Sequence, residues 1–419
     1  MKVVHINISD SSGGASIAAY RHCEAMRRAG IDASMLVLEK NKKSQSFIHS
    51  IVTSRKFAFL LTRLIGYFMA FLLKPFRPWG VFSFPFWSVN VSKNPLLKEA
   101  DIIYIHWVAA SMLSTGEIER ILKLGKPVRW YMHDMNPITG GCHYAMDCEK
   151  YKSACMQCPL LKSRPLGIDL AGIQFKKRMK CWHKYMNLEA YTPSMWLANC
   201  VKNSALWEGH KITVFPNVFD LQKFHQSNKQ IARDLLGIDT HCKLVLFGAA
   251  GINSAYKGWD YMRSALNQLD AQLYKAMIFG EENIQVQKDL KISCLFTGYL
   301  HDEYSLILAY NAADVFVSAS LADNYPNVIM EAMACGLPCV GFNIGGVTEQ
   351  IQHKVNGYLA EAKNANSLAD GIRYICENSQ ESYLAMQKAA RDYVENVASY
   401  EVYKNVSFKN FNTKICNSN

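Results

Sequence analysis

Two doubly wound α/β domains, each on a parallel sheet, are predicted by three features of this 419-residue chain. Short apolar runs alternate with helix-like segments along nearly its whole length. The alternation breaks at Pro216-Asn217-Val218-Phe219-Asp220 and the polar stretch from Gln222 to Gln230, then restarts. Charge divides at the same place: residues 1–215 carry 29 basic and 14 acidic side chains, residues 216–419 carry 17 and 21. The expected domains are 1–215 and 216–397, with a C-terminal helix at about 398–416 able to pack back on the first.

Taken in order, Val3–Ile8 is a short apolar strand, Ser9–Gly14 a turn and Ala15–Ala29 a helix. Ser34–Leu38, Ile102–Trp107 and Val128–Met132 read as further strands. Residues 170–187 look helical, Leu188–Tyr191 extended, 194–204 helical and Ile212–Phe215 extended. In the second half the strands are Leu244–Phe247, Ala276–Phe279, Cys294–Thr297, Val315–Ser318 and Pro338–Gly341. Helices are expected at 258–269, 302–311 and Asn327–Ala334, and over most of the tail from Ser367. Sheets of this kind bind ligands outside the carboxyl ends of their strands, so a cleft between the two domains is the default site.

Hydrophobic residues make up 50% of the chain and charged residues 19%, which excludes disordered, collagen-like and low-complexity classes. No repeat at solenoid spacing occurs. The thirteen cysteines are scattered, and the first residues are too short and polar a run for a secretory signal, so a reducing cytosol is expected. The surplus of cations in the first half suits an anionic membrane surface, a phosphorylated ligand or nucleic acid. No RNP, zinc-finger or helix-turn-helix pattern supports nucleic acid, and none is expected as a partner.

Residues 55–77 form the one stretch that resembles a membrane segment. Its apolar part, Phe57 to Leu73, is 17 residues long and contains Arg63, against the roughly 20 that a span needs. On a helical wheel Arg55, Lys56, Thr62, Arg63, Tyr67, Lys74 and Arg77 gather to one side, and large apolar residues cover most of the rest. The expectation is a helix lying in the membrane interface on the cytoplasmic face; a helix packed on the protein's own core is the alternative.

Three clusters carry chemistry. In the first strand-to-helix turn Gly13 and Gly14 let the backbone approach an anion, although the turn is not G-x-G-x-x-G, so a dinucleotide site is not expected. The run Ala322-Asp323-Asn324-Tyr325-Pro326-Asn327 opens a helix whose N-terminus suits a diphosphate. Glu331 on that helix can accept hydrogen bonds from vicinal ribose hydroxyls. A third cluster follows His133-Asp134: Cys142, Cys148, Cys155 and Cys158, spaced C-x5-C-x6-C-x2-C. Four thiols so close together fit either a structural zinc or four reduced, partly buried cysteines.

Asp323-x7-Glu331, with Ala-Met-Ala-Cys-Gly-Leu-Pro-Cys-Val and then Gly345-Gly346-Val347-Thr348-Glu349, resembles the nucleotide-sugar site of glycosyltransferase family 4. Gly13-Gly14, His133-Asp134 and Lys257-Gly258 extend the resemblance over nearly the whole chain, and bacterial colanic-acid and exopolysaccharide enzymes look most similar. The usual first acid is Glu where Asp323 stands here, and an arginine often precedes the lysine that is Lys257 here; no arginine occurs in Gly248–Tyr256.

The resemblance implies the GT-B fold, with two Rossmann-like domains facing across a cleft, and retaining transfer of a sugar from a nucleoside diphosphate sugar. No metal is implied for catalysis; the departing phosphate takes the proton of the acceptor hydroxyl. His133, Asp323 and Glu331 are the implied catalytic residues. Asp323 holds sugar hydroxyls, Glu331 the ribose and Lys257 the diphosphate, while Asp134 orients. Gly14, Asn324, Tyr325, Pro326, Asn327, Gly345 and Gly346 complete the donor site. The implied acceptor is a glycan or lipid-linked oligosaccharide at the cytoplasmic membrane face, in bacterial surface polysaccharide assembly. Two alternatives stay open: a nucleotide-sugar epimerase of the same fold, and a non-catalytic membrane-associated binding protein.

Overall fold

The computed structural model describes residues 1–51, 64, 65, 67, 68, 71, 80–85, 88–109, 112–161, 167–238, 241–249, 256–280, 289–300 and 302–405. Most of the expected interface helix at 55–77, and the expected C-terminal helix beyond Asn405, lie outside them. The chain divides into two compact units: Met1–Val218, rejoined from Tyr403, and Phe219–Val402.

Unit 1 holds β1 (Lys2–Ser9), α1 (Gly14–Arg28), β2 (Asp32–Glu39), β3 (Ile48–Ser50), α2 (Pro95–Glu99), β4 (Ile102–Ile105), α3 (Thr115–Leu122) and β5 (Val128–Tyr131). It continues with α4 (Leu170–Trp182), β6 (Leu188–Thr192), α5 (Met195–Lys202) and β7 (Ile212–Val214). The strands make one parallel sheet in the order β3-β2-β1-β4-β5-β6-β7. β4, β5 and β6 are buried along their whole length, as strands covered on both faces should be.

The two faces of this sheet differ. Val4, Ile6, Ile103, Ile105, Val128 and Trp130 point into an apolar core that includes Trp182 and Trp207. The residues that alternate with them, His5, Tyr104, Arg129 and Tyr131, are also buried but polar. Arg129 Nη1 donates to the Tyr104 hydroxyl at 2.8 Å and its Nε to Glu189 at 3.3 Å, which satisfies a cation that burial would otherwise penalise.

Unit 2 holds α6 (Lys229–Leu236), β8 (Lys243–Ala249), α7 (Trp259–Leu266), β9 (Tyr274–Gly280), β10 (Ser293–Gly298), α8 (Glu303–Ala312) and β11 (Val315–Ser318). α9 (Asn327–Ala334), β12 (Cys339–Phe342), α10 (Val347–Gln350), β13 (Gly357–Ala360), α11 (Ala365–Cys376) and α12 (Gln380–Ala398) follow. Its parallel sheet runs β10-β9-β8-β11-β12-β13. Alternate residues feed two cores: Leu246 and Phe316 with Tyr310 and Met330 on one face, Val245, Phe247 and Val317 with Ile372 on the other.

In each sheet the order reverses once, between β1 and β4 in unit 1 and between β8 and β11 in unit 2. Connections leave such a reversal toward opposite faces, which opens a crevice at the carboxyl ends of the two strands. Among the described residues no helix is long and apolar enough to cross a membrane.

Candidate functional site

Helix starts mark the candidate site. Eight of the twelve described α-helices begin at a residue whose side chain accepts a hydrogen bond from the first turn, such as Ser114, Asp169 and Ser194. The other four, α1, α7, α9 and α10, begin at Gly13, Gly258, Pro326 and Gly346 and have no side-chain cap. These are the four turns that the sequence singles out. A helix start without its own capping oxygen is suited to an anion supplied from outside.

In unit 2 three of those turns converge on Asp323. The connection after β8 brings Lys257, whose Nζ lies 3.2 Å from Asp323 Oδ2 and 3.5 Å from Ser320 Oγ. Gly258 has φ +63°, and a Cβ there would stand 2.0 Å from the Ala319 carbonyl oxygen, so only glycine lets the lysine loop lie against the end of β11. The Leu321 amide donates to the Tyr256 carbonyl at 2.7 Å and closes the same contact. On the other side Gly345, at φ +49°, passes the Asp323 carbonyl so closely that a Cβ would fall 2.2 Å from it. The Gly346 amide donates to that carbonyl at 3.3 Å.

Asp323 Oδ1 accepts from the Asn324 amide at 3.0 Å, and Asn324 and Tyr325 are buried behind it. The Pro326 carbonyl accepts from Gln350 Nε2 at 3.1 Å, which ties the start of α9 to α10. Glu331 lies one turn into α9. It is buried, and its Oε2 accepts from the Tyr310 hydroxyl at 3.2 Å. Burial and the Glu331 carboxylate beside it push the Tyr310 phenol well above its usual range, so it remains a donor. Lys257, Asp323, Asn324, Gly345 and Gly346 thus come together, with Glu331 set back on the helix that Pro326 and Asn327 open.

In unit 1 the same construction serves Gly14, His133 and Asp134. Gly13 at φ +85° turns the chain from β1 into α1. Asn7 on β1 donates to Ser16 Oγ in the first turn of α1 at 3.0 Å and accepts from the Trp107 amide at 2.9 Å. Trp107 Nε1 donates to Asp134 Oδ2 at 2.9 Å, so hydrogen bonds run from the glycine turn to the His133-Asp134 pair. Asp134 also accepts from His143 Nδ1 at 2.6 Å and from the Asn136 amide at 2.8 Å. Burial alone would raise its carboxyl, but these donors, His143 foremost, hold it below the usual range. His143 Nε2 lies 2.8 Å from Ser83 Oγ. Asp134 therefore orients, through His143 and Trp107, the wall of a small cavity of about 20 Å³ lined by Ser83, Trp107, His133 and Arg178. Arg178 is buried, donates to the Thr139 carbonyl at 2.7 Å and has no partner for Nε among the described residues. Burial lowers it to about 10.

Sequence reasoning missed His5, His106, His143, Tyr310 and Ser320. The signal for the first two was present: His5, Tyr104-x-His106 and Tyr131-x-His133 repeat polar rings at strand period. Using it needs the strand order, which no single strand reveals.

Cys142, Cys148, Cys155 and Cys158 line one apolar cavity with Phe82 and Tyr151. All four are free thiols, and burial raises Cys142 above its usual range and Cys155 to about 12. Among the described residues no group of three or more His, Cys, Asp or Glu side chains is arranged to hold a metal ion. The zinc expectation has no support among the described residues, where the four cysteines are free.

With this geometry, residues 242–378 match the family described as Glycosyl transferases group 1. An uncharacterized glycosyltransferase of Methanocaldococcus jannaschii is 29% identical over 42% of this chain and 45% of its own length. The putative colanic acid biosynthesis glycosyl transferase WcaC of Escherichia coli K12 is 21% identical over 65% of this chain and 66% of its own. The chain thus spans about half to two thirds of the length of these curated relatives. Among solved structures, Anabaena HepE in complex with UDP and glucose superposes with a TM-score of 0.65 at 16% identity, covering 99% of this chain and 100% of that one. The architecture is the GT-B fold. The match to the group 1 glycosyltransferases covers residues 242–378, most of unit 2, and the likeness of fold extends over the whole chain.

Proposed function

We propose that this protein transfers a sugar from a nucleoside diphosphate sugar to a glycan or lipid-linked oligosaccharide, with retention at the anomeric carbon, in bacterial surface polysaccharide synthesis. The observation that carries the reading is the convergence of Lys257, Asp323 and the uncapped start of α9 at the reversal of the second sheet. A diphosphate there would exchange with Asp323 for the lysine ammonium and be met by main-chain N–H groups. Glu331 would take the ribose hydroxyls, and Asp323, released from Lys257, the hydroxyls of the transferred sugar. In this reading unit 2 binds the donor, unit 1 the acceptor, and His133 touches a sugar. The protein would supply charge stabilisation and orientation, leaving the acceptor proton to the departing phosphate. Likeness to the putative colanic acid transferase supports the polysaccharide pathway.

A thermal-shift screen against UDP, GDP and dTDP sugars tests the donor. One class should raise the melting temperature in proportion to the logarithm of its concentration. No shift with any of them would remove the reading. A peripheral position on an anionic membrane belongs to the same proposal and rests on Leu64, Tyr67, Phe68 and Phe71, which are helical and exposed. Flotation with anionic liposomes tests it.

A further inference from the structure

Unit 2 carries a cavity at the amino ends of its strands, away from the donor cluster. Its volume is about 600 Å³, within the ~300–1,000 Å³ of ordinary ligand pockets. Two lining residues place it: Lys243 opens β8 and Asp314 immediately precedes β11, whereas Lys257 and Asp323 follow the other ends of those strands. β8 is seven residues long, so roughly 20 Å of sheet separates the cavity from the donor cluster. The cavity lies between the segment 226–230 and one face of α12, on which Gln380, Tyr383, Leu384 and Gln387 follow the spacing i, i+3, i+4, i+7.

Carboxamides supply most of the polar lining. Three are committed to the protein: Asn228 accepts from the Ile231 amide at 3.1 Å, Gln230 donates to Asp234 at 2.6 Å and Asn378 accepts from the Ser379 amide at 3.0 Å. Gln226, Gln380 and Gln387 make no side-chain hydrogen bond among the described residues. A carboxamide sets a donor beside an acceptor, and a hydroxyl, which is also both, completes that pairing. A phosphate only accepts, and would leave the amide oxygens facing it. The charges agree. Lys229 pairs with Asp314, which also accepts from Arg233 Nη2 at 2.6 Å, so Lys243 is the one lysine of the lining outside that network among the described residues. α6 and α12 begin under side-chain caps, Asn228 and Ser379, unlike the four open starts that suit an anion. Leu384, 52% exposed, offers an apolar surface to the C–H face of a ring.

We propose that this cavity is a second saccharide site, which binds a neutral oligosaccharide through carboxamide–hydroxyl hydrogen bonds. The chemical class rests on the lining alone. That the oligosaccharide is part of the enzyme's own acceptor or product glycan rests on the functional reading above. A glycan held there would be kept at high effective concentration on the enzyme.

Calorimetric titration of the full chain with neutral hexasaccharides of glucose, galactose, mannose and N-acetylglucosamine tests the site, beside a hexasaccharide of galacturonic acid and inorganic phosphate. At least one neutral hexasaccharide should bind saturably. Binding by none of them, or tighter binding of the galacturonic acid hexamer or of phosphate, would overturn the proposal. Gln226→Ala with Gln387→Ala removes two uncommitted partners and should weaken binding about tenfold with the melting temperature unchanged; Gln380→Ala alone should weaken it about threefold. Full affinity in these variants would place the saccharide elsewhere and overturn the assignment. Excess UDP should leave the binding unchanged, and displacement by UDP would put the saccharide in the donor cluster instead. Saccharide binding lost in these variants, in a protein that no nucleotide sugar stabilises, would leave the cavity assignment standing and remove the functional reading alone.

Discussion

Glu331 shows how much one buried carboxylate is asked to do. It is 4% exposed on α9, and the described structure gives it the Tyr310 hydroxyl as a side-chain donor. A ribose diol would add two charge-assisted hydrogen bonds to the same group. Glu331→Gln keeps the shape and one carbonyl oxygen but loses the charge, so donor affinity should fall by about 1.5–3 kcal/mol while the fold survives. Calorimetric titration with the nucleotide sugar found in the screen measures this, and unchanged affinity would place the ribose elsewhere. The sequence pointed to Glu331 because apolar neighbours on both sides made a solvated position improbable for it. It could not show Tyr310, which arrives from α8, 21 residues earlier in the chain. Nor could it show that Lys257 and Asp323 pair, because their contact depends on two loops meeting at a sheet reversal.

At the scale of elements, the strands were legible and the short helices less so. Val315–Ser318 and Asn327–Ala334 coincide with the expected strand and helix, because an apolar run bounded by polar loops and a helix closed by Gly336 carry their limits locally. α4 stops at Trp182, five residues before the expected end, where a turn at His183–Tyr185 leads into β6. β3, α2, α3, α6, α10 and β13 were not anticipated. β3 and β13 are edge strands of three and four residues that owe their form to a neighbour, Met35–Val37 for one and Cys339–Phe342 for the other. The segment around residue 68 carries the element-scale prediction. Leu64, Tyr67, Phe68 and Phe71 follow the i, i+3, i+4, i+7 spacing of one helical face and are 64%, 64%, 57% and 71% exposed. Each large apolar side chain taken out of water is worth about 1.5–3 kcal/mol, and each nearby lysine or arginine adds about 1 kcal/mol against anionic lipid. Flotation with anionic liposomes should weaken in high salt without vanishing. Phe68→Asp with Phe71→Asp should release the protein and leave donor binding intact. Wild-type protein that fails to float at low salt would remove the membrane from the proposal.

For the molecule as a whole, the two units differ in how they meet acid. Among the described residues, the histidines whose proton affinity burial depresses, among them His5, His22, His106, His133 and His210, all belong to unit 1. A depressed histidine costs nothing above its ordinary value of 6.5, where folded and unfolded chains are both neutral. Below it the unfolded chain binds a proton that the folded one refuses, so stability falls until the folded value is reached. For His133 that window runs from 6.5 to about 4 and is worth about 3 kcal/mol by its lower end. His5 extends the loss toward about 3, with the same sign. Two such residues take away a large part of the ~5–15 kcal/mol that holds a domain folded. Seven of the eight tryptophans precede residue 216, so tryptophan emission reports mainly on unit 1. Acid titration should therefore change the emission between pH 6.5 and 4 while the amides of β8 to β13 remain protected from hydrogen exchange. Emission that stays native to pH 4 would mean that His5 and His133 accept protons in the folded state, and the acid sensitivity assigned to unit 1 would be lost.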